Sequence, residues 1–115
     1  MNQKNRCPIT THVLDLTQGK GAAGIPVTLS KQVNQAWVTL SNGRVTNADG
    51  RIEDLLMPGE GLEIGTYKLV FDLKKYHPNG FYPAAEVAFL IRDPFAHHHV
   101  PLLLSPFGYS TYRGT

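Results

Sequence analysis

Apolar and polar residues alternate along much of this chain, and this period of two constrains its fold more strongly than any other sequence feature. The alternation is clearest in residues 9–16, 64–71 and 84–91. Successive side chains of a β-strand point to opposite faces of a sheet, so these segments predict strands with one buried face. In the last segment, every second residue from Val87 to Ile91 is expected to face the core.

Weaker strand signals and turn signals fill the gaps between these segments. They predict strands over Pro26–Lys31 and from Trp37 to Thr46, the latter broken at residues 41–43. Turn residues occur at 17–21 and at Asn47–Gly50, where Asp-Gly is typical of a tight hairpin turn. Strands spaced about ten residues apart with turns between them predict an all-β sandwich or barrel.

The length of the chain and the position of these segments indicate one domain. At 115 residues the chain has a common size for a domain with a single core. We predict a flexible N-terminal segment over residues 1–8 and a single domain over residues 9–115. One short helix is expected over Asp72 to Tyr76, which the residues from Pro78 to Gly80 would end.

The composition argues against two classes of partner. The 11 basic and 9 acidic residues nearly balance, and no basic cluster is longer than Lys74-Lys75, so nothing indicates a nucleic-acid partner. No apolar run approaches the roughly 20 residues of a membrane helix. We therefore expect a soluble domain with no membrane partner.

Cysteine usage and the first residues bear on the compartment. The single cysteine, Cys7, cannot form an intrachain disulfide, which suits a reducing compartment. The opening residues, 1–6, are polar and contain no apolar stretch of the kind that a secretory signal requires. We expect a cytoplasmic location, with the peroxisome as the alternative.

The last nineteen residues, His97 to Thr115, have the composition of a folded segment. They carry an apolar block, two prolines and then Tyr-Ser-Thr-Tyr, whereas a chain terminus is usually polar and poorly ordered. We expect two strands here, with the chain end placed in a functional site.

Three of the five histidines are consecutive, which makes them candidates for chemistry. Because side chains alternate along a strand, His97 and His99 would face one side and His98 the other. At most two of the three can therefore join one site, and His98 is expected to be a spectator. A polar strand start on the protein surface accounts for the triplet equally well.

His12 lies in the middle of a predicted strand, where Thr10 and Leu14 share its face. It is either a histidine satisfied within the core or a site residue. Arg51 leaves the predicted turn directly and is a second polar candidate. Histidine can take a proton from water, and arginine can hold and polarise a carbonyl, so His12 or His99 with Arg51 could catalyse hydrolysis without a cofactor.

Two other kinds of chemistry are weaker interpretations of the same residues. The sequence has no nucleophile elbow, and Cys7 lies near the predicted flexible end, so no covalent intermediate is expected. Two histidines at i and i+2 with a third elsewhere could also bind a metal ion with one open position. We expect no metal and no cofactor.

Five segments of the chain together match one known family. They are Thr11–Asp15, Thr46–Arg51, Gly65–Phe71, Phe81–Pro83 and His97–Thr115. With these motifs the chain resembles the 5-hydroxyisourate hydrolases, the transthyretin-like enzymes of urate degradation, over nearly its whole length from Ile9 onward. The middle segments also suit generic transthyretin-like and immunoglobulin-like modules, so the C-terminal block makes the resemblance specific.

The resemblance implies a two-sheet transthyretin-like β-sandwich of about eight strands with one short helix. It implies a homotetramer, a dimer of dimers with active sites between the dimers, that opens the ring of 5-hydroxyisourate to give 2-oxo-4-hydroxy-4-carboxy-5-ureidoimidazoline. His12, Arg51 and His99 would be catalytic, with either histidine as the base and Arg51 stabilising the oxyanion. The substrate-binding residues implied are His12, Arg51, Tyr112, Arg113, Gly114 and Thr115.

Two positions depart from the family pattern. The family ends in Tyr-Arg-Gly-Ser, whereas this chain has Thr115, which keeps a hydroxyl. The usual His-Tyr-His is His97–His99 here, and only the opposite-face residue differs.

The alternative function is a transthyretin-type carrier of a small hydrophobic ligand in the channel between dimers. Such a carrier needs an apolar channel and no base. Retention of His12, Arg51 and His99 favours the enzyme, because buried polar groups are costly to keep without a use. An immunoglobulin-type interaction module would not explain the C-terminal block.

Overall fold

Two β-sheets pack against each other around one core in the computed structural model, which describes residues 7–57 and 61–115. The strands in these two ranges are β1 Ile9–Asp15, β2 Lys20–Gly21, β3 Pro26–Val33, β4 Ala36–Val45, β5 Arg51–Ile52, β6 Gly65–Asp72, β7 Ala84–Ile91, β8 His98–Ser105 and β9 Gly108–Thr111. The all-β, two-sheet prediction is confirmed.

The first sheet has the strand order β2-β1-β8-β9, with β5 also pairing with β1. The second sheet has the order β4-β3-β6-β7 and is antiparallel throughout. In the first sheet β1 and β8 are parallel, which places Thr10 opposite His99 although 89 positions separate them in sequence. This one pairing joins the first described strand to a strand near the C-terminus.

The core lies between the sheets, and the strands alternate as their sequences predict. On β1, Ile9 and Val13 are fully buried, and on β8 so is Leu102. Thr10 and His12 lie on the other face of β1, away from the core. The first sheet therefore presents an outer face on which polar side chains of β1 and β8 lie side by side.

The strands predicted over residues 9–16, 26–31, 64–71 and 84–91 are confirmed, with small differences at their ends. The predicted break at residues 41–43 is wrong, because β4 runs through them without interruption. The irregularity occurs in the pairing instead, where the register with β3 shifts between Val27 and Ser30. Gly43 has a φ of 89°, a positive value that glycine adopts more readily than other residues, so glycine suits this irregular part of the strand.

Asn47–Gly50 forms the predicted turn, and Gly50 has the positive φ of 81° that a tight turn requires. The turn is not a hairpin, however. The strand before it, β4, belongs to the second sheet, and β5 after it pairs with β1 in the first sheet. The turn carries the chain from one sheet to the other. A hairpin occurs instead at Asn34 and Gln35, between β3 and β4.

The predicted helix over Asp72 to Tyr76 is wrong, because no helix forms in the described ranges. Strand β6 extends through Asp72, and the N–H of His77 then donates to the carbonyl oxygen of Leu73 over 2.9 Å. Pro78 follows at once, so this single turn is too short to propagate. The structure also has nine strands in its described part, whereas the resemblance implied about eight, and two of the nine, β2 and β5, have only two residues each.

A partly buried hydrogen bond links the turn after β6 to the end of β1. The hydroxyl of Tyr76 donates to Oδ2 of Asp15 over 2.5 Å. Burial, with help from this carboxylate, raises the pKa of Tyr76 to about 12. Burial acts to raise the pKa of Asp15 as well, but hydrogen bonds from Tyr76, Gln18 and Thr17 outweigh it and leave that pKa below its ordinary value.

The flexible segment predicted over residues 1–8 lies mostly outside the described residues, which begin at Cys7. Cys7 itself is buried, and its Sγ donates to the carbonyl oxygen of Ile9 over 2.9 Å. Pro8 accepts a hydrogen bond from the N–H of His98. Among the described residues, no helix is long and apolar enough to span a membrane.

Candidate active site

A cavity of about 550 Å³ lies beside the outer face of the first sheet, where the C-terminal residues return to β8. Its walls include all seven residues predicted for the site: His12, Arg51, His99, Tyr112, Arg113, Gly114 and Thr115. The remaining lining residues are Cys7, Thr10, Glu53 and His97. The volume suits a small molecule.

The parallel pairing of β1 with β8 brings the histidines of the site together. Thr10 and His12 are two residues apart on β1, so their side chains share a face. His97 immediately precedes β8 and has the same spacing from His99, which is the register partner of Thr10. The alternation along each chain segment determines which side chains face the cavity. The pairing of β1 with β8 then places Thr10 and His12 beside His97 and His99.

The turn between the sheets positions Arg51 against His12. Oδ1 of Asn47 accepts hydrogen bonds from the backbone N–H groups of Asp49, at 2.9 Å, and Arg51, at 3.0 Å. Strand β5 then pairs Arg51 directly with His12. The carbonyl oxygen of Asp49 lies 2.9 Å from Nε2 of His12. One Asn-capped turn therefore positions the backbone of Arg51 and the ring of His12.

The partner of His12 determines where its ring carries a proton. A carbonyl oxygen only accepts hydrogen bonds, so Nε2 of His12 donates to Asp49. In the neutral imidazole the other nitrogen, Nδ1, then bears the lone pair. His12 is thus held in a tautomer that can accept a proton at Nδ1.

His97 and His99 are bridged by one hydroxyl. Oγ1 of Thr10 lies 3.0 Å from Nε2 of His97 and 2.8 Å from Nδ1 of His99. The two rings are nearly parallel, at an interplanar angle of 15°, with centroids 6.3 Å apart. Thr10 is buried, whereas the two imidazoles are half-buried and line the cavity.

The C-terminal residues form the wall opposite β1. The N–H of Gly114 donates to the carbonyl oxygen of His99 over 2.8 Å, and the two residues form an isolated antiparallel bridge. The guanidinium of Arg113 lies 3.5 Å from the carbonyl oxygen of His97. Strand β9 ends at Thr111, so Tyr112 to Thr115 continue past it along the cavity.

His98 lies on the opposite face from His97 and His99, as the alternation predicts. It is only 4 % exposed and is the register partner of the buried Ile9, so the triplet is not a polar surface segment. Burial, reinforced by the positive charge of Arg113, lowers the pKa of His98. Its Nδ1 has no hydrogen-bond partner in the structure. His98 is not among the cavity residues.

The sequence analysis gave no site role to Thr10, His97, Glu53 or Cys7, although it expected His97 to share a face with His99. The signal for the first two was present, because each lies two positions from a predicted site residue, Thr10 from His12 on β1 and His97 from His99 at the entry to β8. Within residues 7–57 and 61–115, no group of three or more His, Cys, Asp or Glu side chains has an arrangement that could hold a metal ion. The histidine nitrogens described above instead meet hydroxyl and carbonyl oxygens.

A sequence model of the HIUase/Transthyretin family matches residues 9–114. The chain belongs to this family. The match includes both strands that carry the cavity histidines and the C-terminal segment as far as Gly114.

The similar proteins include 5-hydroxyisourate hydrolases and transthyretins. The chain is 45% identical to the mouse protein named 5-hydroxyisourate hydrolase, covering 94% of this chain and 95% of that protein. The solved structure of the Klebsiella pneumoniae 5-hydroxyisourate hydrolase aligns with a TM-score of 0.79 at 34% identity, over 93% of this chain and 97% of that one. Sea bream transthyretin, solved in complex with thyroxine, aligns with a TM-score of 0.85 at 31% identity, over 95% of this chain and 96% of that one.

Proposed function

We propose that this member of the HIUase/Transthyretin family hydrolyses 5-hydroxyisourate. The observation that carries the proposal is the cavity in which Arg51, His12 and His99 lie together on the outer face of the first sheet. These groups supply a cation and two imidazoles, which hydrolysis of a cyclic amide needs. The similarity to the mouse enzyme over nearly the whole chain supports the same activity.

The reaction adds water to a carbonyl carbon of the six-membered ring and breaks the adjacent C–N bond. The product, 2-oxo-4-hydroxy-4-carboxy-5-ureidoimidazoline, carries the resulting carboxylate and ureido group. Arg51 would hold the polar substrate and stabilise the negative charge that develops on the carbonyl oxygen. No covalent bond to the protein is required, since water is the nucleophile.

The tautomer of His12 supports a role as the base. Its Nε2 donates to the Asp49 carbonyl oxygen, so Nδ1 can take a proton from the attacking water. His99 would then give a proton to the nitrogen that leaves the carbonyl carbon. Tyr112, Arg113, Gly114 and Thr115 would contact the substrate from the opposite wall.

A carrier function of the transthyretin type is the second candidate, favoured by the fold similarity to the thyroxine-bound sea bream protein. The lining of this cavity argues against it. An apolar ligand in this cavity would lie against the charge of Arg51 and the imidazoles and would offer them no hydrogen-bond partner.

The deciding experiment follows the ultraviolet absorbance of freshly generated 5-hydroxyisourate with and without the protein. We expect rapid decay with the protein, and a loss of about 100-fold or more in turnover for His12→Ala, His99→Ala and Arg51→Ala. Arg44→Ala is the matched control, because Arg44 lies on β4 of the second sheet and pairs with the exposed Asp54. Unchanged decay in the presence of the folded protein would favour the carrier.

The same assay tests whether the activity depends on a metal ion. The proposed chemistry uses two imidazoles and a guanidinium, so exhaustive chelation should leave the rate unchanged. Loss of activity on chelation and recovery with zinc would replace this mechanism with one based on a metal site.

We also propose that the protein works as a homotetramer. Both sheets end in strands with one unpaired edge within the described chain, β9 in the first sheet and β7 in the second. Such edges are usually covered by a partner or protected in another way. Exposed apolar side chains lie on these edge strands, Leu90 on β7 and Tyr109 on β9.

A second copy of the chain against the outer face of the first sheet would also close the cavity. Sedimentation should give a tetramer, and a fully active monomer would refute the assembly.

A further inference from the structure

The Thr10 hydroxyl joins two histidines that belong to one wall of the cavity. It lies within hydrogen-bond distance of Nε2 of His97, at 3.0 Å, and of Nδ1 of His99, at 2.8 Å. Thr10 is 6% exposed, whereas both imidazoles border the cavity. The bridge therefore connects a cavity residue already assigned to the reaction with a second imidazole that has no role so far.

The number of protons in this bridge limits the tautomers that the two imidazole rings can adopt. A threonine hydroxyl has one proton and can donate it to one nitrogen only. At least one of the two nitrogens facing Thr10 must therefore carry its own proton and donate to Oγ1. The tautomers of His97 and His99 are consequently coupled through this oxygen, whatever other partners the rings have.

We propose that Thr10 and His97 are positioning residues for His99, and that the Thr10 hydroxyl passes a proton between the two imidazoles. A proton moves from Nε2 of a doubly protonated His97 to Oγ1, while the hydroxyl proton of Thr10 moves to Nδ1 of His99. His97 becomes neutral, Thr10 is regenerated, and His99 gains the proton that replaces the one given up to the leaving nitrogen. No atom or electron is gained or lost in the exchange.

This inference rests on the hydrolase function proposed above, because that reaction gives the proton of His99 a use. It extends that function by adding a second proton source behind His99, one that does not contact the reacting atoms. Fixing the tautomer of a catalytic histidine through its other ring nitrogen is an established way of tuning a general acid or base.

Several charged or titratable groups face this pair and would influence its titration. Those lining the same cavity are Cys7, His12, Arg51, Glu53, Tyr112 and Arg113. His98 lies on the other face of β8, and burial keeps it from competing for the same proton. The test must therefore compare variants that leave all these groups in place.

The first arm of the test needs no substrate. Imidazole ¹⁵N shifts of His97 and His99 are followed by NMR from ~pH 5 to ~9 in wild type, Thr10→Val and Thr10→Ser. We expect coupled titration in wild type, with both rings responding to the same steps, and independent titration in Thr10→Val. Thr10→Ser should restore the coupling because it keeps the hydroxyl. Identical titration in wild type and Thr10→Val would overturn the proposal.

The matched control is Thr11→Val on the same strand. The hydroxyl of Thr11 is also buried, but it faces the core and donates to the carbonyl oxygen of Val100 over 2.6 Å. This variant loses a buried hydroxyl of the same kind, so it should lose stability and keep the coupled titration. Loss of coupling in Thr11→Val as well would mean that Thr10→Val acts through general disturbance of β1, which would overturn the relay.

The second arm measures catalysis. Thr10→Val and His97→Gln should each lower kcat by roughly 10-fold or more, the lower part of what acid-base catalysis contributes, and change KM by less than about 3-fold. His97→Gln should also alter the acid limb of the pH profile, because glutamine does not titrate. A wild-type pH profile in His97→Gln would overturn the relay. An inactive wild-type protein would reject the hydrolase proposal, while the NMR arm would still decide the coupling.

Discussion

Gly114 packs so closely against His99 that no side chain fits between them. A Cβ added to Gly114 would lie 2.5 Å from Cδ2 of His99 and 3.3 Å from Cγ of Pro101. Cδ2 is bonded to Nε2, the ring nitrogen on the far side from Thr10. The glycine thus lets the C-terminal segment reach the ring of His99, while its N–H binds the His99 backbone.

Gly114→Ala should therefore displace the imidazole of His99 and lower kcat by roughly 100-fold, the loss expected when a reacting group moves by about 1 Å. Gly108→Ala is the matched control, since a Cβ there would meet only the side chain of Ser105, at 3.8 Å. Both variants should keep a wild-type melting temperature to within a few degrees. Equal kcat values in the two folded variants would show that the ring of His99 is not held by this contact.

Asn47 caps the turn that carries Arg51 and supports His12. Asn47→Ala removes the acceptor of two backbone hydrogen bonds, so we expect a loss of about 1 kcal/mol in the free energy of unfolding. Turnover should fall by more than the loss of folded protein explains, since two site residues lose their support. Asn47→Asp should recover most of both quantities because a carboxylate accepts the same hydrogen bonds.

The control for this prediction is Asn42→Ala on β4. Oδ1 of Asn42 accepts one exposed hydrogen bond from Thr28 over 3.3 Å, in the second sheet. Kinetics and denaturant unfolding of the three variants provide the comparison. If Asn42→Ala and Asn47→Ala lose the same activity per folded molecule, the turn does not position the site.

His98 makes stability depend on pH. Burial holds its pKa in the folded protein below the ordinary value of 6.5, so the unfolded chain takes up a proton at higher pH than the folded protein does. The contribution of His98 to stability is therefore complete above about pH 6.5 and is lost as the pH falls through the pKa of the folded protein.

Denaturant unfolding at pH values from ~7.5 down to ~5 should show this loss in wild type and a smaller one in His98→Phe, which cannot take up a proton. Carboxylates such as Asp15 add their own dependence at lower pH, and it cancels in the difference between the two proteins. Parallel stability curves for the two proteins would contradict the assignment.

Ending the chain at Thr111 should remove activity without unfolding the domain. Strand β9 would remain complete, whereas the hydrogen bond from Gly114 to His99 and one wall of the cavity would be lost. We expect turnover to fall at least ~10-fold, with circular dichroism and sedimentation unchanged.

Thr115→Ser is the conservative comparison for this truncation, and it should be nearly neutral because the hydroxyl is retained. Full activity in the protein ending at Thr111 would show that residues 112–115 do not belong to the working site. A large loss in Thr115→Ser would show that the extra methyl group of threonine contributes to substrate packing.

The candidate site shows which part of the function was accessible from sequence. Sequence patterns singled out the histidines, Arg51 and the last four residues as separate segments. The family resemblance then grouped His12, Arg51, His99 and residues 112–115 into one site. Thr10 and His97 were named as lying on the faces of His12 and His99 but were given no role, because their importance depends on the bridge between the two histidines through Thr10. The role of Asp49 was missed for a similar reason, since its contact with His12 is made by a backbone carbonyl that no side-chain pattern reports.

The sequence by itself determined which segments are strands and which residues share a face. A period of two is a local property, and it placed His97 and His99 together and His98 on the other side. Tertiary structure alone decided which strands are neighbours: the alternation of β1 and β8 says nothing of a parallel pairing across 89 positions. Tertiary structure also decided that the turn at Asn47–Gly50 connects the two sheets and is not a hairpin. The expected helix forms only a single turn. Pairing and packing depend on contacts between distant residues, and the cavity exists only because those contacts bring both ends of the chain to one face.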